Sequence, residues 1–449
     1  MGLMFFPRGG SAHVTRALAG ALPAHGWDVT LVSGSMDLPG RPGDAREFFA
    51  GIDVRPVDYA PALDAPDPLL ASVPMHPSYE DRPGAPDRVF AGLDDATAEH
   101  LARAWSEVLA GAGAAHADVL HLHHLTPLHE AAARVAPDVP VVGHVHGTEL
   151  LMLEAIADGP PEGWVHARAW ARRMRAWAHR CERLVLLSPG QRVRVQRLLG
   201  YPAERCVVIP NGFDPARFHA VAIDRMAHWR EHLVDRPRGW APGQEAGSVA
   251  YGQADLAAFA SGPVLLYVGR FTAVKRLGLL IESYARARAS FSVRAPLVVV
   301  GGFPGEWEGE HPLETIERTG ARDVFLAGWH DHAELPAFLA ACDVIVLPSV
   351  REQFGQVLVE GMACGLAPIA ADAWGPRDIV ADGVTGWLVA PDDGPALERA
   401  LIEAVGDPGQ RRRRAAAARE DARRRFAWPS LAARLAAVYE AVRAPATMR

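Results

Sequence analysis

Lysine and asparagine are nearly absent from this sequence. Of the 46 Lys and Arg residues, 45 are arginine; Lys275 is the single lysine and Asn211 the single asparagine. A bias that empties two residue types yet leaves one of each makes those two positions worth locating. Cysteine is scarce too. Cys181, Cys206, Cys342 and Cys364 are scattered and form no C-x-x-C pair, which excludes a disulfide framework or a cysteine-based zinc site and suits a reducing compartment. No stretch approaches about 20 uninterrupted apolar residues, so no transmembrane helix is expected. Arg8 is followed by Gly-Gly-Ser rather than an apolar run, so residues 1–30 carry no signal-peptide pattern and the expected location is the cytoplasm. Positive charge is not in excess: the formal net charge of −7 argues against a nucleic-acid partner.

A chain of 449 residues exceeds what one hydrophobic core organises, so two or three domains are expected. "GLMFF" reads as a short strand, "SAHVTRALAGALPAHG" as a helix with Val14, Leu18, Ala21 and Leu22 on one stripe, and "WDVTLVS" as a second strand. Residues 37–92 are crowded with Pro, Asp and Gly and read as an irregular segment. The alternation resumes with a helix over 95–111, a helix around 164–182, and strands in "DVLHLHH", "VPVVGHVHG", "RLVLLS" and "RCVVIPNG". A second series carries strands in "PVLLYVG", "APLVVVGG", "DVFLAG", "DVIVLPS", "LAPIAAD" and "GWLVA". Most are continuous apolar runs, the pattern of a parallel sheet covered on both faces. The expected architecture is α/β, with two Rossmann-like domains facing across a cleft. They span residues 1–215 and 262–429, joined by a linker with an insert over 216–261, and a helix over 430–445 packs back on the first domain. Ligands of open parallel sheets bind beyond the carboxyl ends of the strands, so the loops there carry the chemistry.

The loop after "VLLYV" places Gly269 and Arg270, then Lys275 and Arg276, at the start of a helix. A helix N-terminus offers free N–H groups and partial positive charge, which suits phosphate. Lysine is a compact charge on a flexible stem where arginine is a rigid fork. One phosphate oxygen at the end of a narrow approach can therefore demand Lys275; a solvated helix start accounts for the segment equally well. In "SVREQFGQVLVEGMACG" a strand ends at Pro348, a loop carries Glu352, and a helix starting near Phe354 carries Glu360, with seven residues between the carboxylates. Carboxylates accept paired hydrogen bonds, here from vicinal hydroxyls of a sugar or ribose. The N–H groups of Phe354, Gly355 and Gln356 can hold an oxyanion or sugar oxygens. Most Glu pairs at this spacing are surface residues; the strand-loop-helix setting makes this one more specific.

"REQFGQVLVEGMACG" resembles the E-x7-E signature of the retaining glycosyltransferases of family 4, which have the GT-B fold. Five further segments agree in order. "PRGGSAHVTRALAGALPAHGWDVTLV" resembles the glycine loop and first helix of that family, and "VVGHVHG" its strand ending in His-Gly. "VIPNGFDPARF" resembles the interdomain segment, "YVGRFTAVKRLGLLIESYA" the phosphate-binding G-R-x4-K segment, and "GPRDIVADGVTGWLVAPDD" the stretch after E-x7-E. The resemblance covers most of residues 1–35, 115–218 and 262–445. It implies transfer of a sugar, with retention, from a nucleotide diphosphate sugar to a small-molecule acceptor, a specialised metabolite in one reading, without metal or other cofactor. It also implies roles. Arg270 and Lys275 bind the donor diphosphate, Glu352 faces the transferred sugar, and His146 reaches it from the N-terminal domain. Glu360 binds the ribose. Gly269 and the backbone of Phe354, Gly355, Gln356 and Val357 surround sugar and phosphate, and Gly9 and Gly10 are assigned to donor binding, allowing close backbone approach to donor and acceptor. Ser11, His13, Tyr79 and Glu149 are assigned to the acceptor side. Gln356 departs from the family, which often has an aliphatic residue there. The rival activities are a sugar-phosphate synthase or phosphorylase-like enzyme on the same fold and a non-catalytic nucleotide-sugar-binding protein. A nicotinamide dehydrogenase is disfavoured because "PRGGSAH" supplies no G-x-G-x-x-G.

Four weaker signals remain. His121, His123, His124 and His129, with His144 and His146, could form a metal site, but no Cys or carboxylate spacing supports one, and histidines at strand ends lining a polar cleft are the preferred account. The segment "GWVHARAWARRMRAWAHRCERL" is a basic amphipathic helix able to lie on a membrane surface. Its stripe of Trp170, Met174, Trp177 and Cys181 suits packing on a sheet better. In "HPSYEDRPGAPD", Ser78, Tyr79 and Asp87 are candidates for an acceptor lid. Asn211, finally, is expected to hold a turn in the left-handed region.

Overall fold

The computed structural model describes residues 1–7, 9–36, 43–81 and 87–443. Residues 37–42 and 82–86 of the segment read as irregular lie outside the described residues. The chain forms two compact units: Met1–Asn211 with the C-terminal stretch from Trp428, and Gly212–Ala427.

The first unit is built on seven parallel strands: β1 (Gly2–Leu3), β2 (Thr30–Ser35), β3 (Asp53–Asp58), β4 (Leu120–His123), β5 (Val141–Val145), β6 (Arg183–Leu186) and β7 (Cys206–Val208), in the order β3-β2-β1-β4-β5-β6-β7. Alternation along β4 and β5 sorts their side chains to two faces. Leu120, Leu122, Val141 and Val145 enter the larger core with Trp105, Trp170 and Trp177. Val142 faces the other way, against Val14 and Leu18 of helix Gly10–Ala21 and Leu431, Leu435 and Tyr439 of helix Trp428–Arg443. The stretch read as a basic amphipathic helix is Ala167–Arg180, and its Trp170, Met174 and Trp177 are buried, with Trp170 Nε1 donating to the Leu93 carbonyl at 2.8 Å. Packing, not a membrane surface, takes up its apolar stripe.

The irregular reading of residues 37–92 needs correction, since β3 lies inside them. Pro56 and the charges of "DVRPVD" hide the strand. The proline is tolerated because β3 is the sheet edge, where a missing N–H forfeits no ladder bond.

The second unit has six parallel strands: β8 (Leu265–Val268), β9 (Leu297–Val300), β10 (Val324–Gly328), β11 (Val344–Leu347), β12 (Ala367–Ala371) and β13 (Trp387–Val389), in the order β10-β9-β8-β11-β12-β13. All six coincide with the apolar runs seen in the sequence. The order reverses between β8 and β11, which pair directly through Val344 and Leu265. This is the switch point at which open parallel sheets bind ligands.

Residues 216–261, read as a linker with an insert, belong to the second unit. Trp229 is buried and stacks on Phe259 with centroids 5.0 Å apart. The Leu326 N–H donates to the Tyr251 hydroxyl at 2.7 Å, and Trp240 Nε1 donates to the Gly302 carbonyl at 2.9 Å. Among the described residues no helix is long and apolar enough to cross a membrane.

Candidate functional site

In the second unit the loops after β8 and β11 are tied together. The Val274 carbonyl accepts from the Val350 N–H at 3.0 Å and from Ser349 Oγ at 3.2 Å. Lys275 closes a 3₁₀ turn, Ala273–Lys275, and Arg276, at φ 56°, caps helix Leu277–Ala287. The Arg276 guanidinium is held by Asp392, at 2.6 Å from Nε. In the loop after β8 the cations left for a ligand are Arg270, exposed and with no hydrogen bond from its guanidinium among the described residues, and Lys275, whose Nζ donates to Glu352 Oε2. Gly301 packs so closely on Gly269 that a Cβ at Gly301 would meet the Gly269 carbonyl oxygen at 2.1 Å, which fixes the backbone where the β8 loop begins.

After Glu352 the chain turns through Gly355, at φ 105°, a left-handed conformation that glycine adopts without steric cost. Helix Gln356–Cys364 follows. Among the described residues the N–H groups of Gly355, Gln356 and Val357 have no acceptor, which leaves a helix N-terminus suited to an anion. Phe354 is buried against Phe426 and anchors this turn. Glu360, one helical turn beyond Gln356, is only 2 % exposed. Its Oε1 lies 2.8 Å from His332 Nε2 and accepts from Gln356 Nε2 at 3.0 Å; the same amide donates to the Gly212 carbonyl at 2.7 Å. The departure at Gln356 thus has a structural consequence, since its amide ties Glu360 to the first residue of the unit.

Sequence reasoning missed three residues here. His332 follows β10 and meets Glu360 across 28 positions. Phe303 and Trp329 follow β9 and β10, remain 52 % and 42 % exposed, and contact each other edge to face at 5.9 Å. An exposed aromatic pair at strand carboxyl ends is an apolar patch on the ligand-binding edge of the sheet. "GGFPGEW" and "AGWHDH" each follow a strand, and that was the available signal.

In the first unit the order reverses between β1 and β4. Beyond β1, helix Gly10–Ala21 starts at Gly10 after an extended Gly9. Both glycines are exposed, and a Cβ on either would meet nothing within 4 Å, so packing in this unit does not require glycine there. Ser11 is half-buried; His13 is exposed beside Arg16, 3.4 Å away. Beyond β5, His146 is largely buried with Nε2 3.0 Å from His123 Nδ1, and its N–H donates to Glu149 Oε1 at 3.1 Å. Burial, then the neighbouring His144, His124 and His121, pushes the His146 imidazole well below the usual histidine range, so its ring is neutral. Burial alone would raise the Glu149 carboxyl; the His124 ring, 3.4 Å from Oε1, and the N–H groups of His146 and Glu149 outweigh it and hold the carboxyl below its ordinary value.

Four expectations change. Tyr79 is not a lid residue: it is packed between Phe5, Phe90 and His124, and its hydroxyl donates to the Leu125 carbonyl at 2.9 Å. Glu149 is fully buried and organises the turn at His146 instead of presenting a carboxylate at a surface. The histidines of β4 and β5 do not line a polar surface, because strand alternation puts His121, His123 and His144 inside the unit. Asn211 does not occupy the left-handed region; its Oδ1 is buried without a hydrogen-bond partner among the described residues.

Residues 8–217 match the model of the family described as Glycosyltransferase Family 4, and residues 253–421 that of Glycosyl transferases group 1. The chain is 30 % identical over 332 residues to glycogen synthase of Mycobacterium tuberculosis, covering 73 % of this chain and 69 % of that protein. It is 30 % identical over 330 residues to D-inositol 3-phosphate glycosyltransferase of Xylanimonas cellulosilytica, covering 72 % and 71 %. Among solved structures, Anabaena HepE in complex with UDP and glucose aligns over 98 % of both chains, with a TM-score of 0.66 and 19 % identity, a likeness of fold. Two parallel-sheet units, the two family matches and the relatives agree, and the chain belongs to glycosyltransferase family 4 as a glycosyltransferase of the GT-B fold.

Proposed function

We propose that the protein transfers a hexosyl or related sugar, with retention of anomeric configuration, from a nucleotide diphosphate sugar to a small-molecule acceptor. The observation that carries this reading is the meeting of Arg270, Lys275, Glu352 and the open N-terminus of helix Gln356–Cys364 at the β8/β11 switch point. Such a point binds ligands, and two cations with a helix N-terminus are suited to a diphosphate. In this reading Arg270, Lys275 and that N-terminus stabilise the departing diphosphate, which is where negative charge develops during transfer. Glu360, held by His332 and Gln356, accepts from the ribose hydroxyls. Phe303 and Trp329 offer the base a stacking surface. Glu352 contacts the transferred sugar; in the first unit the neutral His146, Gly9 and Gly10 are the donor-side candidates, and Ser11 and His13 the acceptor-side ones. The charge of the diphosphate is met by side chains, so the transfer itself needs no divalent ion.

A thermal-shift panel of UDP, GDP, ADP and dTDP sugars, with and without EDTA added alongside the ligand, tests the reading. A ligand at about 100 times its Kd adds about 2.7 kcal/mol of stability. One nucleotide series is expected to raise the melting temperature, with or without EDTA, and Lys275→Ala to abolish the rise. UDP comes first because HepE is described with UDP bound. If no nucleotide sugar shifts the wild-type melt at saturation, the donor reading fails. Proton NMR of the product linkage decides retention.

A further inference from the structure

β4 and β5 run side by side with His123 directly opposite His144. Alternation sends His121, His123 and His144 to the face covered by helix Trp428–Arg443, and all three are buried. A ring nitrogen of each lies within 4.8 Å of the others. His121 Nε2, His123 Nε2 and both ring nitrogens of His144 have no hydrogen-bond partner among the described residues. A buried polar atom left unpaired costs about 1–3 kcal/mol. Where only shape matters the same face uses valine, at Val142 and Val185. Each neutral ring carries one lone pair, so the three rings together can offer three lone pairs to a ligand that accepts them.

The remaining nitrogens set the tautomers. His121 Nδ1 lies 2.5 Å from the Tyr439 hydroxyl, and His123 Nδ1 lies 3.0 Å from His146 Nε2. With each Nδ1–H donating outward, both Nε2 lone pairs are free, the arrangement that orients metal-ligating histidines. Burial keeps these rings neutral, which is the ligating form. A cavity of about 290 Å³ lined by Trp27, Leu120, His121 and Tyr439 gives an approach.

We infer that the first unit binds one divalent transition-metal ion of the zinc type through His121, His123 and His144. Zinc–imidazole bonds of about 2.0–2.1 Å place ligand nitrogens roughly 3.4 Å apart in a tetrahedron, so the rings tilt inward on binding. Three neutral ligands leave the fourth position to water. The buried Glu149 carboxylate, close enough to act on the His144 ring, supplies negative charge nearby. The ion joins β4 to β5 under the C-terminal helix. The inference does not depend on the transfer reaction.

The test uses the full chain, purified without a metal-affinity tag, stripped with chelator and titrated with Co²⁺. One equivalent is expected to give the intense visible bands of four-coordinate cobalt, and Zn²⁺ to displace it. His121→Gln and His144→Gln each abolish the signal, while replacement of the exposed His116 by Gln leaves it unchanged. Tyr439→Phe is expected to keep the fold and weaken Co²⁺ affinity about 10- to 100-fold, as loss of an orienting partner does; this variant carries the test if the glutamine variants do not fold. No stoichiometric uptake by the wild type, uptake unchanged in folded glutamine variants, or a Tyr439→Phe affinity equal to wild type would each overturn the inference.

Discussion

Lys275 and Glu352 are bound to each other across 77 positions of sequence, each side chain about a fifth exposed. The one lysine of the chain is thus neutralised by one of the two carboxylates of E-x7-E. In the proposed reaction the donor's diphosphate takes over the ammonium and releases Glu352 toward the sugar.

Substituting Lys275 is expected to separate charge from shape. Lys275→Ala should lower kcat/KM about 100- to 1000-fold, the scale of losing one group that stabilises developing charge. Lys275→Arg keeps the charge in a planar fork and should recover only part of that loss. Steady-state kinetics with the donor found in the thermal-shift panel measures both. A Lys275→Arg enzyme equal to wild type would make the lysine a chance survivor of the drift to arginine.

Glu360 gives a prediction about the ribose. A buried carboxylate that accepts from ribose hydroxyls should make the ribonucleotide bind about 10- to 100-fold more tightly than its 2′-deoxy counterpart, since hydrogen bonds to charged groups are worth about 1.5–3 kcal/mol. Glu360→Gln should shrink that ratio toward one, and His332→Ala, which frees the carboxylate from its ring partner, should change it less. Calorimetric titration of each nucleotide into each variant reads the ratio directly.

How far the sequence disclosed this molecule follows from where each signal resides. The strands of the second unit were legible because each is a continuous apolar run. Lys275, Glu352 and Glu360 were legible because each lies within a short segment that follows such a run. β3 was hidden because Pro56 breaks the strand pattern, and only its place at the sheet edge makes that harmless. His332, Phe303 and Trp329 join the site through neighbouring strands, and a spacing rule along one segment cannot see that. Tyr79 and Glu149 carry polar groups that suit a surface. Their burial is decided by Phe5, Phe90 and the turn at His146, which come from distant parts of the chain.

The buried histidines predict an acid-sensitive fold. His121, His123 and His146 are held well below the ordinary histidine value, first by burial and then by each other, and His144 is pushed down to about 3, by burial and then His124. Above pH 6.5 folded and unfolded states are both neutral at these positions, and the histidines add no pH dependence. Below it the unfolded chain takes up protons that the folded chain refuses, so stability falls as pH falls, by up to about 1.4 kcal/mol per pH unit for each such group. In chelator-stripped protein, urea midpoints should drop steeply from about pH 7 toward pH 5. His144→Leu should make that drop shallower by one proton's share.

Two glycines should respond in opposite ways to alanine. A Cβ at Gly375 would meet the Phe354 carbonyl oxygen at 2.2 Å and the Phe354 Cα at 2.4 Å, and the Gly375 N–H donates to the Glu352 carbonyl at 3.0 Å. Gly375→Ala therefore pushes the Glu352–Gly355 turn away from its place, costing about 1–3 kcal/mol as overpacking does and weakening nucleotide binding with it. A Cβ at Gly9 meets nothing within 4 Å, so Gly9→Ala should leave the urea midpoint within error of wild type. If the backbone of Gly9 approaches a substrate, that variant should lose transfer activity while keeping its stability. Measuring midpoint and kcat/KM for both separates a glycine required by the fold from one required by a ligand. A Gly9→Ala enzyme with full activity would remove Gly9 from the substrate-contacting residues.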